Sequence, residues 1–216
     1  GPEARMTGGT LVTGAGGFIG SHLVAALLGE GRPVRGLDVN LDAVRHLAGR
    51  TGLELVEADV TDEADVASAL DGIDVVHHLA AAHLGARIAE DAFRSVNVDA
   101  TRALAEAAAT RRVRRFVHCS SVGVFGTIEA PPANEEAPCR PQLAYERTKL
   151  EGEHAVLETC RERGLDAVVL RPAWVYGPGC PRTRKLIETI RRGRFLVAGS
   201  GDGLRHCLYV ADCVRA

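Results

Sequence analysis

Short apolar runs alternate along the chain with longer segments in which apolar residues recur at helical spacing. The runs predict β-strands over 10–12, 34–37, 53–57, 73–79, 113–119 and 167–170. The longer segments predict a helix after Gly20 and further helices over 62–70, 93–109 and 143–163. Strands that alternate with helices in this way predict an α/β fold with a doubly wound parallel sheet and helices on both faces.

The composition is that of one soluble globular domain. The chain has 216 residues, of which 46% are hydrophobic and 25% are charged, and its net charge is −2. A charge so near zero gives no reason to expect nucleic acid or a membrane as a partner, and no apolar run is long enough to span a bilayer. The six cysteines lack metal-ligand spacing, so we expect reduced thiols in a cytoplasmic protein and no metal site.

A glycine-rich run, Thr-Gly-Ala-Gly-Gly-Phe-Ile-Gly over 13–20, joins the first predicted strand to the first helix. Gly14, Gly16 or Gly17, and Gly20 would permit a tight turn, a close backbone approach and close packing of helix on strand. The free amides and the positive end of the helix would then face a pyrophosphate. This run predicts a dinucleotide site.

An acidic residue, Asp38, ends the second predicted strand, twenty-four residues after Gly14. A carboxylate at that place can accept both hydroxyls of an adenosine ribose, and it would repel a 2′-phosphate. Arg35 lies within the strand and is expected to point elsewhere. The sequence therefore favours NAD over NADP.

A tyrosine and a lysine, Tyr145 and Lys149, lie four residues apart on a predicted helix and so share one face. A nearby ammonium stabilises a phenolate, so we expect a lowered pKa that makes Tyr145 a usable acid and base. The chain has only two lysines, Lys149 and Lys185. Ser120 and Ser121 follow the fifth predicted strand, where a hydroxyl would meet a substrate oxygen beside Tyr145.

Together these motifs resemble the extended short-chain dehydrogenases/reductases, in the group of NAD-dependent epimerases and dehydratases. The resemblance runs from about residue 9 to residue 216. It rests on TGAGGFIG (13–20), Asp38, Asp59-Val60, HLAA (78–81), Asn97-Val98, SSVGVFG (120–126), YERTK (145–149), RPAWVYGPG (171–179) and RHCLYVAD (205–212).

The resemblance implies a role for each matching residue. Tyr145 is expected to be the catalytic acid and base, Lys149 to bind the nicotinamide ribose beside it, and Ser121 to be the catalytic serine. Trp174 and Arg205 are expected, with Ser121, to contact the substrate, and His83 and His206 are further candidates. The remaining residues expected at the cofactor are Phe18, Ile19, Asp59, Val60, Leu79, Ala80, Ala81, Asn97 and Pro172.

Departures from the family pattern narrow the expected chemistry. Val122 and Gly123 stand where the 4,6-dehydratases carry Asp-Glu, and Gly123 stands where sugar-acid decarboxylases carry Glu. Two reactions remain, the 4-epimerisation of a nucleotide sugar and the simple oxidoreduction of a hydroxysteroid or another bulky alcohol. Trp174 favours the second and Arg205 the first. A non-enzymatic nucleotide sensor is a third reading, although such proteins usually lack the Tyr/Lys pair.

The expected organisation follows from these assignments. We expect a leader or tag remnant over 1–8, an NAD-binding Rossmann domain over 9–179, and over 180–216 part of a substrate-binding lobe whose remainder is absent. In that lobe, apolar runs predict short strands over 195–197 and 207–210 and a helix that opens over 210–214. The resemblance also implies a homodimer formed through the helices over 93–109 and 143–163.

Overall fold

Six parallel strands form the central sheet of the structure, a computed structural model that describes residues 8–82, 90–129, 131–197 and 199–216. In the sheet their order is β3-β2-β1-β4-β5-β6, which confirms the predicted doubly wound arrangement. The strands are β1 (Gly9–Thr13), β2 (Val34–Asp38), β3 (Leu53–Glu57), β4 (Ile73–His78), β5 (Arg115–Cys119) and β6 (Ala167–Leu170).

Helices connect the strands and cover both faces of the sheet. They are α1 (Phe18–Gly29), α2 (Glu63–Ala69), α3 (Glu90–Arg94), α4 (Ala100–Thr110) and α5 (Ala144–Arg163). One π-helical turn (Ser95–Asp99) joins α3 to α4, so the helix predicted over 93–109 is interrupted. Asp62 caps α2, because its Oδ1 accepts from the amides of Ala64 at 2.8 Å and Asp65 at 3.1 Å.

Two apolar clusters lie on opposite faces of the sheet. Leu11 packs with Leu104 of α4 and Val156 of α5, whereas its neighbour Val12 packs with Val24 of α1. Successive side chains of a strand point to opposite faces, so a strand buried on both faces needs apolar residues at successive positions. This is why β1, which is buried along its whole length, carries apolar residues at the successive positions Leu11 and Val12.

A second, two-stranded parallel sheet follows the main one. It pairs β7 (Trp174–Tyr176) with β8 (Cys207–Tyr209), and between them lies α6 (Pro181–Arg191). The last helix, α7 (Val210–Arg215), begins directly after β8 and packs on the α1 face through Val214. Sequence analysis predicted β8 and α7 but not β7 or α6.

The strand predicted over 195–197 is wrong. These residues pair with no strand among the described residues, and Leu196 is 89% exposed. An apolar run becomes a strand only where a neighbouring strand takes up its backbone hydrogen bonds, and none lies beside this segment. Within the described ranges, no helix is both long and apolar enough to cross a bilayer.

Candidate active site

The glycine turn lies at the carboxyl end of β1 and touches the segment that follows β4. Gly14 has a φ of +71°, and a Cβ there would lie 2.7 Å from the Ala80 nitrogen. A Cβ on Gly16 would lie 1.8 Å from the Asn40 oxygen, and one on Gly20 would lie 2.0 Å from the Gly14 oxygen. Each position therefore requires glycine.

Helix α1 begins at Phe18, directly after this turn. Among the described residues no side chain caps its N-terminus, and no acidic residue lies in its first turn. The first amides of a helix carry a partial positive charge and lack partners within the helix. The turn therefore presents backbone amide donors, including the amides of Phe18 and Ile19, to an anion.

Asp38 lies beside the glycine turn at the end of β2. Its Oδ2 accepts from the Gly16 amide at 2.9 Å and its Oδ1 accepts from the Asn40 amide at 3.1 Å. The carboxylate thus holds the turn while keeping acceptor capacity on both oxygens. Arg35 points away, as predicted, and its guanidinium binds Glu54 at 2.8 Å and the Ala69 carbonyl at 2.8 Å.

A buried histidine holds the segment over 79–81 against β1. The Thr13 hydroxyl lies 2.7 Å from His78 Nδ1, and the Thr101 hydroxyl lies 2.9 Å from His78 Nε2. The Ala80 amide donates to the same Thr13 oxygen at 3.3 Å. Burial lowers the pKa of His78 to about 3, with Lys149 acting in the same direction, so the ring is neutral. Sequence analysis did not identify this role, which joins residues far apart in the chain.

Asn97 is buried and makes hydrogen bonds with both ends of its amide. Its Oδ1 accepts from the Ala82 amide at 2.9 Å, and its Nδ2 donates to the Thr148 hydroxyl at 3.0 Å. Asn97 therefore joins the segment after β4 to α5. These contacts make it a positioning residue between the predicted cofactor channel and the helix that carries Tyr145.

Ser121, Tyr145 and Lys149 come together at the carboxyl end of β5. Ser121 lies close enough to the Tyr145 phenol to lower its pKa, and its hydroxyl accepts a hydrogen bond from the Gly123 amide at 3.1 Å. Lys149 is 2% exposed, and its Nζ donates to the Cys119 carbonyl at 2.6 Å. The structure thus brings together the three residues predicted to be catalytic.

The predicted lowering of the Tyr145 pKa is wrong for this structure. Burial raises the pKa of Tyr145 above its usual value, and the Cys119 thiol acts in the same direction. The charge of Arg182 and the nearby Ser121 side chain oppose this increase. Arg182 lies in the first turn of α6 and was not predicted as a site residue. Because α6 itself was not predicted, nothing in the neighbouring sequence indicated that this arginine would lie near Tyr145.

The other predicted residues lie around this centre or beyond it. The Pro172 carbonyl accepts from the Val122 amide at 3.2 Å, next to Ser121. Asp59 and Val60 follow β3, where Asp59 Oδ1 accepts from the Thr61 amide at 2.9 Å and Val60 packs into the core.

Two predicted substrate residues lie in the second sheet and its approach. Trp174 is in β7, with its indole nitrogen buried and without a partner among the described residues. Arg205 and His206 are exposed just before β8. His83 lies outside the described residues.

Comparison with known proteins identifies relatives along nearly the whole chain. A family model described as the NAD dependent epimerase/dehydratase family matches residues 10–216. A UDP-glucose 4-epimerase of Mycolicibacterium smegmatis is 42% identical over 96% of this chain and 71% of its own length. A 3 beta-hydroxysteroid dehydrogenase/Delta 5-->4-isomerase of Mycobacterium tuberculosis is 34% identical over 90% of this chain and 55% of its own length.

Solved structures agree with this result. The crystal structure of a UDP-glucuronic acid 4-epimerase from Bacillus cereus in complex with NAD superposes with a TM-score of 0.87 at 30% identity, covering 95% of this chain and 71% of that one. The chain spans about half the length of several curated relatives that it matches.

Proposed function

Because the chain belongs to the NAD-dependent epimerase/dehydratase family, we propose that it carries the cofactor-binding and catalytic part of an enzyme that transfers hydride reversibly at a secondary alcohol carbon. The observation that carries this proposal is the convergence of three groups at the carboxyl end of β5: Ser121, the Tyr145 phenol on which it acts, and the buried Lys149, whose Nζ donates to the Cys119 carbonyl at 2.6 Å. These groups lie at the same edge of the sheet as the glycine turn, where ligands of doubly wound sheets bind.

The residues around the glycine turn fit NAD. At three positions of the turn a Cβ would clash, so the glycines there leave the backbone bare and allow a pyrophosphate to approach it closely. The uncapped start of α1 would donate hydrogen bonds from its backbone amides to the pyrophosphate. Asp38 would take the adenosine ribose, and Asp59 and Val60 would flank the adenine. Lys149 would take the nicotinamide ribose, next to Pro172, and the segment over 79–81 would line the channel between the two ends.

Tyr145 would exchange the proton of the substrate hydroxyl. Its raised pKa means that the chain by itself favours the neutral phenol, which is the form that protonates an alkoxide. Ser121 and Arg182 favour the phenolate, which is the form that removes the proton. When bound, NAD⁺ accepts the hydride, and its positive charge would also favour the phenolate.

We propose a nucleotide sugar as the substrate and 4-epimerisation as the reaction. The UDP-glucose 4-epimerase of M. smegmatis supports this at 42% identity. Val122 and Gly123 follow Ser121 and carry no acid to expel water, which argues against dehydration. Arg182, whose charge acts on Tyr145, provides a cation for an anionic group of such a substrate.

A hydroxysteroid-type dehydrogenase is the second candidate. The dehydrogenase of M. tuberculosis supports it at 34% identity, and so does the large apolar side chain of Trp174 in β7. The two candidates differ in their cofactor balance. An epimerase returns the hydride to the same carbon and leaves NAD unchanged, whereas a dehydrogenase releases the ketone and accumulates NADH.

The deciding experiment incubates the protein and NAD with a panel of UDP- and dTDP-sugars and, in parallel, with 3β-hydroxysteroids. Sugar products are identified by NMR and NADH by its absorbance. New sugar isomers without NADH would support the epimerase. Stoichiometric NADH with a steroid would establish the dehydrogenase instead, and NAD binding without either product would remove both reactions.

We also propose the organisation and setting that the family suggests. Residues 9–179 would form the NAD-binding domain and residues 180–216 part of a substrate-binding lobe, in a cytoplasmic homodimer. Helices α4 and α5, which lie side by side and are joined by ion pairs such as Arg163 to Glu106 at 2.9 Å, would form the dimer interface. Light scattering on the purified protein tests the dimer.

A further inference from the structure

A buried ion pair lies behind the proposed catalytic lysine. Glu153 is 1% exposed, and its two carboxylate oxygens accept from Arg171 Nε at 3.0 Å and Nη2 at 2.7 Å, in a bidentate contact with one side of the guanidinium. A buried pair of this kind contributes little net stability, because desolvation offsets the attraction between the charges. Its place next to Lys149 indicates a different role.

Glu153 follows Lys149 by four residues on α5, so the two side chains share one face of the helix. Burial lowers the pKa of Lys149, whereas Cys119 and, after it, Glu153 raise it. Burial lowers the pKa of His78 and His118 on the neighbouring strands, so both rings are neutral.

The two remaining titratable groups that face this site are also neutral. Burial raises the pKa values of the Cys119 thiol and the Tyr145 phenol, which keeps both in their protonated forms. Glu153 is the carboxylate that shares this face of α5 with Lys149. Arg171, the other charged group here, reaches the site through Glu153.

Arg171 connects the same pair to the segment that presents Ser121. Its guanidinium carbon lies 4.8 Å from the centre of the Phe125 ring, within the range of a cation–π contact. Phe125 ends the 3₁₀ turn Val122–Phe125, whose N-cap is Ser121. The same segment is tied to the end of β6 by the Ser120 amide, which donates to the Leu170 carbonyl at 2.7 Å.

We propose that Glu153 and Arg171 form a positioning pair that keeps Lys149 charged and in place and aligns the segment bearing Ser121. Neither residue would touch the substrate. The role of Lys149 rests on the proposed function, whereas the electrostatic coupling between Glu153 and Lys149 does not. The two are therefore tested by separate measurements.

The first measurement is an NMR titration of Lys149, which needs neither cofactor nor substrate. The chain has only two lysines, so protein labelled with ¹³C-lysine gives two side-chain signals, and Lys185→Arg assigns them. In Glu153→Gln we expect the pKa of Lys149 to fall by about one unit, a tenfold change in its proton affinity. Lys185, on α6, serves as the internal reference.

Two controls separate charge from packing. Glu158→Gln removes a carboxylate from the same helix but breaks an exposed ion pair with Arg102, so it is expected to leave Lys149 unchanged. Glu153→Asp keeps the charge and is expected to restore most of the pKa. An unchanged pKa in folded Glu153→Gln, or an equal fall in Glu158→Gln, would overturn the proposal.

A second variant, expected to change the Lys149 pKa in the opposite direction, covers the case in which Glu153→Gln does not fold. Arg171→Met leaves the Glu153 carboxylate facing Lys149 without its guanidinium partner, and the pKa of Lys149 is expected to rise. No rise would overturn the proposal.

The second measurement is NAD affinity as a function of pH. For Glu153→Gln we expect NAD to bind about tenfold more weakly. We also expect the loss of NAD affinity with rising pH to begin at a lower pH than in the unsubstituted protein. A shifted lysine pKa with unchanged NAD affinity would leave the coupling intact and would count against the proposed role of Lys149.

Discussion

Replacing Asp38 by alanine tests how the chain selects its cofactor. The Asp38 carboxylate accepts the Gly16 and Asn40 amides at 2.9 and 3.1 Å, and two of its roughly four lone-pair positions remain for the ribose hydroxyls of NAD. A phosphate on the 2′-oxygen would both occupy one hydroxyl and repel the carboxylate. We therefore expect Asp38→Ala to weaken the binding of NAD more than that of NADP.

The magnitude follows from the bonds that each cofactor makes with Asp38. A hydrogen bond to a charged group contributes about 1.5–3 kcal/mol, and the lower value suits this partly exposed carboxylate. Two ribose bonds then amount to about 3 kcal/mol, or a roughly 150-fold loss of NAD affinity. The substitution also removes the contacts to Gly16 and Asn40, which loosens the turn. This effect weakens both cofactors alike and therefore cancels in the ratio of their dissociation constants. Because the 2′-phosphate of NADP would repel the carboxylate, NADP loses neither of these bonds, and the ratio of the NADP to the NAD dissociation constant is expected to fall by the same factor, roughly 150-fold.

Isothermal titration calorimetry with both cofactors measures this ratio directly. Asp42→Ala is the matched control, because Asp42 lies four residues further along, is exposed, and binds Arg45 at 3.3 Å rather than the glycine turn. It is expected to leave the ratio within about twofold of the starting value. An equal loss of both cofactors in Asp38→Ala would refute the ribose assignment and would leave Asp38 as a residue that only supports the turn.

Three further predictions follow from the same structure. Gly20→Ala places a Cβ 2.0 Å from a backbone oxygen and is expected to lower the free energy of unfolding by about 2 kcal/mol or more. Gly29→Ala, in open space on the same helix, is expected to raise the free energy of unfolding by about 0.4–1 kcal/mol. Equal effects of the two substitutions in urea denaturation would contradict this prediction. Tyr145→Phe is expected to lower turnover by about 10²-fold or more with little change in NAD affinity, and retained turnover would remove Tyr145 from the mechanism. His78 has a pKa of about 3 in the folded protein against 6.5 in the unfolded chain, so the unfolded chain binds more protons between these pH values. The free energy of unfolding is therefore expected to fall below pH 6.5 by up to about 1.4 kcal/mol per pH unit. Denaturation curves that show a smaller loss for His78→Gln would confirm that His78 is the source.

Much of the fold and part of the site could be predicted because their signals are local. The strands over 53–57 and 167–170 agree with the structure at both ends, although both are partly buried strands at the edges of the sheet. The glycine turn was recognised for a similar reason. Three glycines within seven residues meet steric demands made largely by the turn itself and its immediate neighbours.

The failures occurred where partners are distant in the chain. The run over 195–197 has the composition of a strand but no strand to pair with. The pKa of Tyr145 was judged from a neighbour four residues away, yet burial and Cys119, twenty-six residues earlier, decide its direction. Arg182 acts on Tyr145 from a helix that no pattern predicted.

The amino-acid sequence by itself therefore determined the order of the strands in the main sheet and of most helices between them, and it pointed to the glycine turn and to Ser121, Tyr145 and Lys149 as candidates, because periodicity and short spacings are properties of neighbouring residues. Only the tertiary structure decided which of these groups are charged and what holds them. His78 joins Thr13 to Thr101, and Arg171 reaches Glu153 on another element. Burial and long-range hydrogen bonds set protonation, and both exist only after the chain has folded.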